Sequence, residues 1–193
     1  HTDNRRQRQM CIRDSYKPVS DESAAVEVQV PKQITITSAS QSSNPYSQYP
    51  ASHAFDGDVN THTHTKYPGG TDDHWLELVL QSGTRHLSKV EITNRQNCCE
   101  GKLSDFRIEW QKNGQSSWET CGTYNYVTKE AKDFACDVNS DVDIRAVRIY
   151  KPYSGQASAD NTLHVAEVKI YGYVTNINQY HKVFEGGYNY YHG

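Results

Sequence analysis

The sequence predicts an all-β fold, a β-sandwich or jelly roll, and three observations carry that prediction. Apolar and polar residues alternate in short runs, Gly, Asn, Asp and Ser separate the runs, and no stretch sustains a helical period. Leu76, Leu78 and Leu80 alternate with Glu77 and Val79, and Val90 and Ile92 with Glu91 and Thr93. Phe106, Ile108 and Trp110 alternate with Arg107 and Glu109. Val147 and Ile149 flank Arg148, and Val168 and Ile170 flank Lys169. A strand turns successive side chains to opposite faces, so each run buries one face and wets the other.

The alternation divides the chain. Residues 1–32 read as a disordered or non-native N-terminal segment, basic and polar between Arg5 and Arg13 and interrupted at Pro18. A weak amphipathic pattern over Ala24 to Val30 offers an edge strand. Residues 33–172 form the one patterned domain, and residues 173–193, rich in Tyr, Asn, Gly and His, read as a tail or linker. A start at His1 without an apolar leader is what a mature or truncated chain would show. The formal net charge of −3 argues against a general nucleic-acid or membrane-surface binder. No apolar run is long enough to insert into a bilayer as a helix.

Cysteine usage points outside the cell. Cys98 and Cys99 are adjacent, Cys121 and Cys136 flank an expected hairpin, and Cys11 stands apart. A secreted chain would pair the first four locally and leave Cys11 odd. The spacing lacks the Cys-x-x-Cys pattern of a zinc site.

Three constellations stand out. The first is Asn94-Arg95-Gln96-Asn97-Cys98-Cys99-Glu100-Gly101-Lys102, directly after a strand. A disulfide between neighbours closes so small a ring that it constrains little unfolded-chain entropy, so stapling is a poor reason for it. It does present a flat, polarizable face, here bracketed by the cations of Arg95 and Lys102. The second is Thr61-His62-Thr63-His64-Thr65-Lys66, with His74 further on. Zinc is a weak reading of it, because no carboxylate–histidine spacing of a catalytic zinc site follows. The third is the oxygen-rich run Asp56-Gly57-Asp58 with Thr61, suited to calcium but equally to a plain Asp-Gly turn.

Together these residues resemble the F-type lectins, fucose-binding members of the discoidin-like jelly rolls, over about Gln33 to Gly172. His64-Thr65-Lys66 matches one family segment. Asn94-Arg95, Cys98-Cys99 and Lys102-Leu103 match a second, and Ala166 to Gly172 looks like the family's last strand. The resemblance implies a lectin for terminal L-fucose, or a related sugar, on fucosylated glycans or glycoproteins. It implies that His64, Arg95 and Lys102 donate hydrogen bonds to the sugar and that the Cys98–Cys99 disulfide packs against its ring. Tyr46 and Tyr49 are the candidates for the pocket that takes the sugar's methyl group. A structural Ca2+ would be held by the side chains of Asp56, Glu167 and Thr61 and by carbonyls near His53, Asp58 and Ala166. Many relatives carry a further cysteine pair where this chain has His62 and Ala166.

Three departures matter. Asn97 stands where the family places an acid, so it can accept a bond from Arg95 but cannot neutralise it. Lys102 replaces a common arginine and loses the planar fork. The interval from His64 to Arg95 is longer than usual, with the extra residues expected in Tyr67 to Gly70 and near Ser82-Gly83. The second reading is a discoidin-type adhesion module for protein or lipid, which would not need the Arg95–Cys98–Cys99–Lys102 cluster. No enzyme is expected: glycoside hydrolysis needs two carboxylates facing one pocket, and no nucleophile elbow is present. One shallow sugar site binds modestly, so avidity through homo-oligomers or tandem domains is expected.

Overall fold

The computed structural model describes residues 30–66, 72–153 and 162–174. The expected edge strand at Ala24 to Val30, apart from Val30 itself, which is exposed and outside any strand, the Tyr67 to Gly70 insertion, Cys11 and the tail beyond Val174 fall outside those residues.

The described chain is all-β. Nine strands run in order: β1 (Lys32–Ile34), β2 (Ile36–Gln41), β3 (His74–Leu80), β4 (Thr84–Thr93), β5 (Phe106–Lys112), β6 (Glu119–Tyr124), β7 (Lys132–Asn139), β8 (Ile144–Lys151) and β9 (Glu167–Val174). Two short 3-10 helices, Ala51–Phe55 and Glu100–Leu103, interrupt the loops. The strands form two antiparallel sheets, ordered β1-β9-β4-β7 and β2-β3-β8-β5-β6.

The period-two residues fill the space between the sheets. Leu76, Leu78, Phe106, Ile108, Val147 and Ile149 from the larger sheet meet Leu87, Val90, Ile92, Val168 and Ile170 from the smaller one, all buried. Each such side chain removed from water contributes roughly 1.5–3 kcal/mol before entropy is counted. The core spacing in β4 jumps from Leu87 to Val90, an odd step that would send one of them outward. A register shift between Leu87 and Lys89, against both β7 and β9, absorbs the extra residue. Gly172 lies opposite this irregularity, and a Cβ there would come within 1.9 Å of the His86 carbonyl oxygen, so no side chain fits.

The Cys121–Cys136 disulfide forms as the spacing suggested, but not within a hairpin. β6 is an edge strand of one sheet and β7 an edge of the other. The bridge therefore closes one flank of the sandwich, beside the mutually packed rings of Phe106, Tyr124 and Phe134.

The topology gathers the long connections at one end. β4 ends at Thr93 opposite the first residue of β9, Glu167, and β3 begins at His74 opposite the last residue of β8, Lys151. The loops after β2, β4 and β8 and those before β3 and β9 consequently share that end. The tight turns, including Gly83 with φ of 82°, occupy the other.

Candidate functional site

The loop before β3 is held by the loop before β9. Thr63 N–H donates to Val165 O at 2.7 Å and Thr65 N–H to Leu163 O at 3.2 Å. In return, Val165 N–H donates to Thr63 Oγ1 at 3.1 Å and Leu163 N–H to Thr65 Oγ1 at 2.8 Å. Both threonines are buried, so the two segments form a short antiparallel splice in which these main-chain and hydroxyl groups satisfy one another without water. Because side chains alternate along extended chain, His62 and His64 are set apart from the threonines. They meet His164, whose ring centroid is 4.0 Å from that of His64 and 6.2 Å from that of His62.

Tyr46 and Tyr49 complete this cluster from the loop after β2. Tyr46 stands edge-on to His64 at 5.0 Å, while Tyr49 stacks on His62 at 4.5 Å and on His64 at 5.5 Å. Gln41, at the end of β2, donates to the carbonyls of Tyr49 at 3.2 Å and His64 at 3.4 Å, tying the loops together.

The loop after β4 supplies the second half. Asn94 is fully buried and pins both ends of it: its Oδ1 accepts from Arg95 N–H at 2.8 Å, and its Nδ2 donates to Glu100 O at 3.0 Å. Gln96 Nε2 donates to Asn94 O at 2.7 Å and to Lys129 O at 2.8 Å. Cys98 and Cys99 are joined, and Cys99 takes the left-handed conformation with φ of 69°. Its carbonyl accepts from Lys102 N–H at 3.0 Å, starting the 3-10 turn that buried Leu103 anchors in the core. Lys151, buried at the end of β8, donates to Lys102 O at 3.0 Å and Ser104 Oγ at 3.4 Å. Glu100 pairs with Lys129 at 3.0 Å.

Arg95 joins the two halves. Its Nε donates to Asn97 Oδ1 at 2.6 Å, the contact expected of that asparagine, and its Nη1 reaches His164 Nδ1 at 3.4 Å. His164 escaped the sequence reading, since nothing local distinguishes it from a strand-edge histidine. The signal was its place two residues before Ala166, level with the His62–His64 pair.

The protonation pattern follows from these contacts. A guanidinium can only donate, so His164 Nδ1 carries no proton and the ring is neutral with its proton on Nε2. That nitrogen is buried without a partner among the described residues, as is His62 Nε2. Burial, reinforced by the charges of His64 and Arg95, pushes His164 down to about 2. Burial and Arg95 push His62 down to about 4. His64 is lowered by burial, against a hydrogen bond to Thr65 O, and further by Arg95 and Lys102. A carbonyl only accepts, so His64 bears its proton on Nδ1 and offers Nε2 as an acceptor. The tautomer thus differs from the donor role the resemblance implied. Burial also lowers Arg95, opposed by the nearby Tyr49 phenol. The cluster presents one neutral acceptor beside two cations, Arg95 and Lys102.

On the adjoining loop, Asp56 Oδ2 accepts from Thr61 Oγ1 at 2.8 Å and its Oδ1 from Asp58 N–H at 2.9 Å. Thr61 Oγ1 also donates to Asp58 O at 2.9 Å, and Gly57 N–H to Glu167 Oε2 at 3.2 Å. His53 Nδ1 contacts His62 O at 3.2 Å, and Ala166 N–H donates to Thr93 O at 3.0 Å. Glu167 is buried, and burial with the charges of Asp56 and Asp58 raises its pKa. Among the described residues, no group of three or more His, Cys, Asp or Glu side chains converges as a metal-ligand set. The oxygens here are two carboxylates, one hydroxyl and main-chain carbonyls, a donor set of the hard type that calcium takes.

Two antiparallel sheets face to face, with a basic and aromatic cluster in the loops at one end, define a discoidin-like β-sandwich. The chain belongs to the F5/F8 type C family: residues 53–149 match the family described as NedA-like, galactose-binding domain. It is 31% identical over 127 residues to Fucolectin-6 of Anguilla japonica, spanning 62% of this chain and 62% of that protein's length. It is similar in structure to a Streptococcus pneumoniae fucose binding module, SpX-3, with a TM-score of 0.54 and 28% identity over 74% of this chain and 98% of that one. The family 32 carbohydrate-binding module of C. perfringens NanJ, solved in complex with galactose, shares the fold with a TM-score of 0.58 and 24% identity, covering 74% and 99%.

Proposed function

We propose that this domain is a secreted lectin that binds terminal L-fucose, or a related sugar, on glycans and glycoproteins and catalyses no reaction. The observation that carries the reading is the convergence of His64, His164 and Arg95, drawn from three separate loops onto one end of the sandwich. A sugar presents hydroxyls that both donate and accept, and this cluster offers His64 Nε2 to the one and Arg95 and Lys102 to the other. Tyr46, Tyr49 and the Cys98–Cys99 pair supply the apolar surface that the ring and a methyl group require. The fucolectin relative and the fucose binding module favour fucose among the candidates. Two paired disulfides favour an oxidising compartment.

A calcium ion would be held by Asp56, Glu167 and Thr61 with the carbonyls of His53, Asp58 and Ala166, fixing the loop that leads to His64. Glu167 is buried with Asp56 and Asp58 close by, so burial first and their like charges second hold its pKa up, and a cation bound there would stabilise all three carboxylates.

Titration of the full chain with methyl α-L-fucoside, followed by protein-observed NMR with and without calcium, tests the reading. Saturable shifts should concentrate at His64, Arg95, Lys102 and Cys98–Cys99, and Arg95→Ala should abolish them while the fold persists. Absence of saturation at millimolar sugar, or shifts confined to other surfaces, would refute it.

A further inference from the structure

Arg95 is unusual in what holds it. Two of its five N–H donors are engaged, by Asn97 Oδ1 at 2.6 Å and His164 Nδ1 at 3.4 Å, and both acceptors are uncharged. Asn97 is an amide, and His164 accepts from a guanidinium, which only the neutral ring can do. Of the two acids on the same loop, Glu100 is engaged by Lys129 at 3.0 Å, and Asp105, at the far end just before β5, forms no ion pair with Arg95. No Asp or Glu among the described residues pairs with Arg95. The guanidinium is therefore fixed in direction on two sides while its charge is met by no counter-ion from those residues. It is also partly buried, where a charge is screened less than in open water.

An arginine so placed has its remaining N–H groups, including both on Nη2, left for a ligand. A planar or tetrahedral oxyanion matches that fork with parallel charge-assisted bonds, whereas a hydroxyl uses one donor and leaves the charge unmet. Resting on the lectin reading, we infer that this site takes an anionic saccharide, one whose carboxylate or sulfate group faces Arg95, in preference to the neutral sugar of the same shape. The attraction is local, since the chain as a whole carries a formal charge of −3 and would not draw polyanions indiscriminately.

Matched pairs test it on the full chain. Calorimetry at about 0.1 M salt compares methyl α-L-fucoside with its 2-, 3- and 4-O-sulfates, and methyl α-D-galactoside with methyl α-D-galacturonide. The best charged member of at least one pair should bind about tenfold tighter than its neutral partner, and the advantage should shrink as salt is raised. The two arms separate sulfate from carboxylate, and an advantage in either supports the inference. Asn97→Asp supplies the missing counter-ion from within, so the ratio of charged to neutral affinity should fall toward one, whichever way the two separate affinities move. Neutral sugars bound as tightly as charged ones would overturn the inference and leave the lectin reading standing. An advantage that survives Asn97→Asp would overturn it too, because the charge would then be read elsewhere. Saturable binding of no member of either pair would overturn both.

Discussion

Asn94 is the residue whose replacement should do most damage to the loop that carries Arg95 without touching a ligand. It is fully buried, and its amide closes the loop by accepting from Arg95 N–H and donating to Glu100 O. Asn94→Ala removes both bonds and leaves two main-chain groups to find partners, at about 1 kcal/mol net for each bond and more wherever water cannot enter. A loss of about 2 kcal/mol in a domain of this size lowers the melting temperature by roughly 4–8 °C. Asn94→Asp makes a sharper test. The new carboxyl can still accept from Arg95 N–H, but ionised it faces the Glu100 carbonyl oxygen with no proton to donate. Protonated, it restores that bond, so its folded-state pKa is raised above the unfolded value near 3.9. A raised pKa means that the folded form binds the extra proton, so stability is retained at low pH and lost as pH rises through the folded pKa. Melting curves for wild type and both variants at pH 4 and pH 7 check this, with each variant read against wild type at the same pH. Asn94→Asp should approach wild type at pH 4 and fall below it at pH 7. An alanine variant within about 1 °C of wild type, or an aspartate variant with no pH dependence, would show that Asn94 does not hold the loop.

Calcium should raise the melting temperature of wild type, and Glu167→Gln should remove most of that rise; equal losses with and without calcium would take the ion out of the account. In chelator, acid should destabilise the fold through its neutral imidazoles. His62 and His164 are depressed to about 4 and about 2, so the unfolded chain takes up protons first as pH falls below 6.5. Stability present above pH 6.5 is then lost by roughly 2 kcal/mol per imidazole at pH 5; urea titrations showing equal stability at pH 7 and pH 5 would contradict it. Joint replacement of Cys121 and Cys136 by alanine opens a loop with a sequence separation of 15, and should cost about 3 kcal/mol. A loss under about 1 kcal/mol would assign that flank to ring packing instead of cross-linking.

The strands legible in the sequence were those with strict alternation. Leu76 to Leu80 and Val168 to Ile170 each bury one face and appear as strands, and Phe106 to Trp110 does too, although Glu109 on its outer face is also buried, against Arg148. β7 is half-hidden, because Phe134, Cys136 and Val138 alternate but sit among exposed acids on an edge. β6 has just Cys121 and Tyr124 as apolar side chains, three positions apart, so no period-two alternation signals its burial. For the same reason, the pairing of Cys121 with Cys136 was readable while their membership of different sheets was not. In the site, Arg95, Asn97 and His64 were legible because their neighbours form rare local patterns. His164 was not, since its role comes from a partner 69 positions away. The proton position on His64 depends on a main-chain carbonyl, which no side-chain pattern reports.

The pairing of β1 with β9 bears on how such a domain can be strung to others. Lys32 lies beside Gly172 and Ile34 beside Ile170, so the strand that begins the domain and the one that ends it are neighbours. Glu167 opens β9 next to Thr93, whereas Val174 closes it next to Thr84, about 25 Å away along the strand. Whatever tethers the domain before Lys32 or after Val174 therefore attaches at the pole remote from Arg95. Copies joined at that pole would carry their Arg95 ends away from the junction.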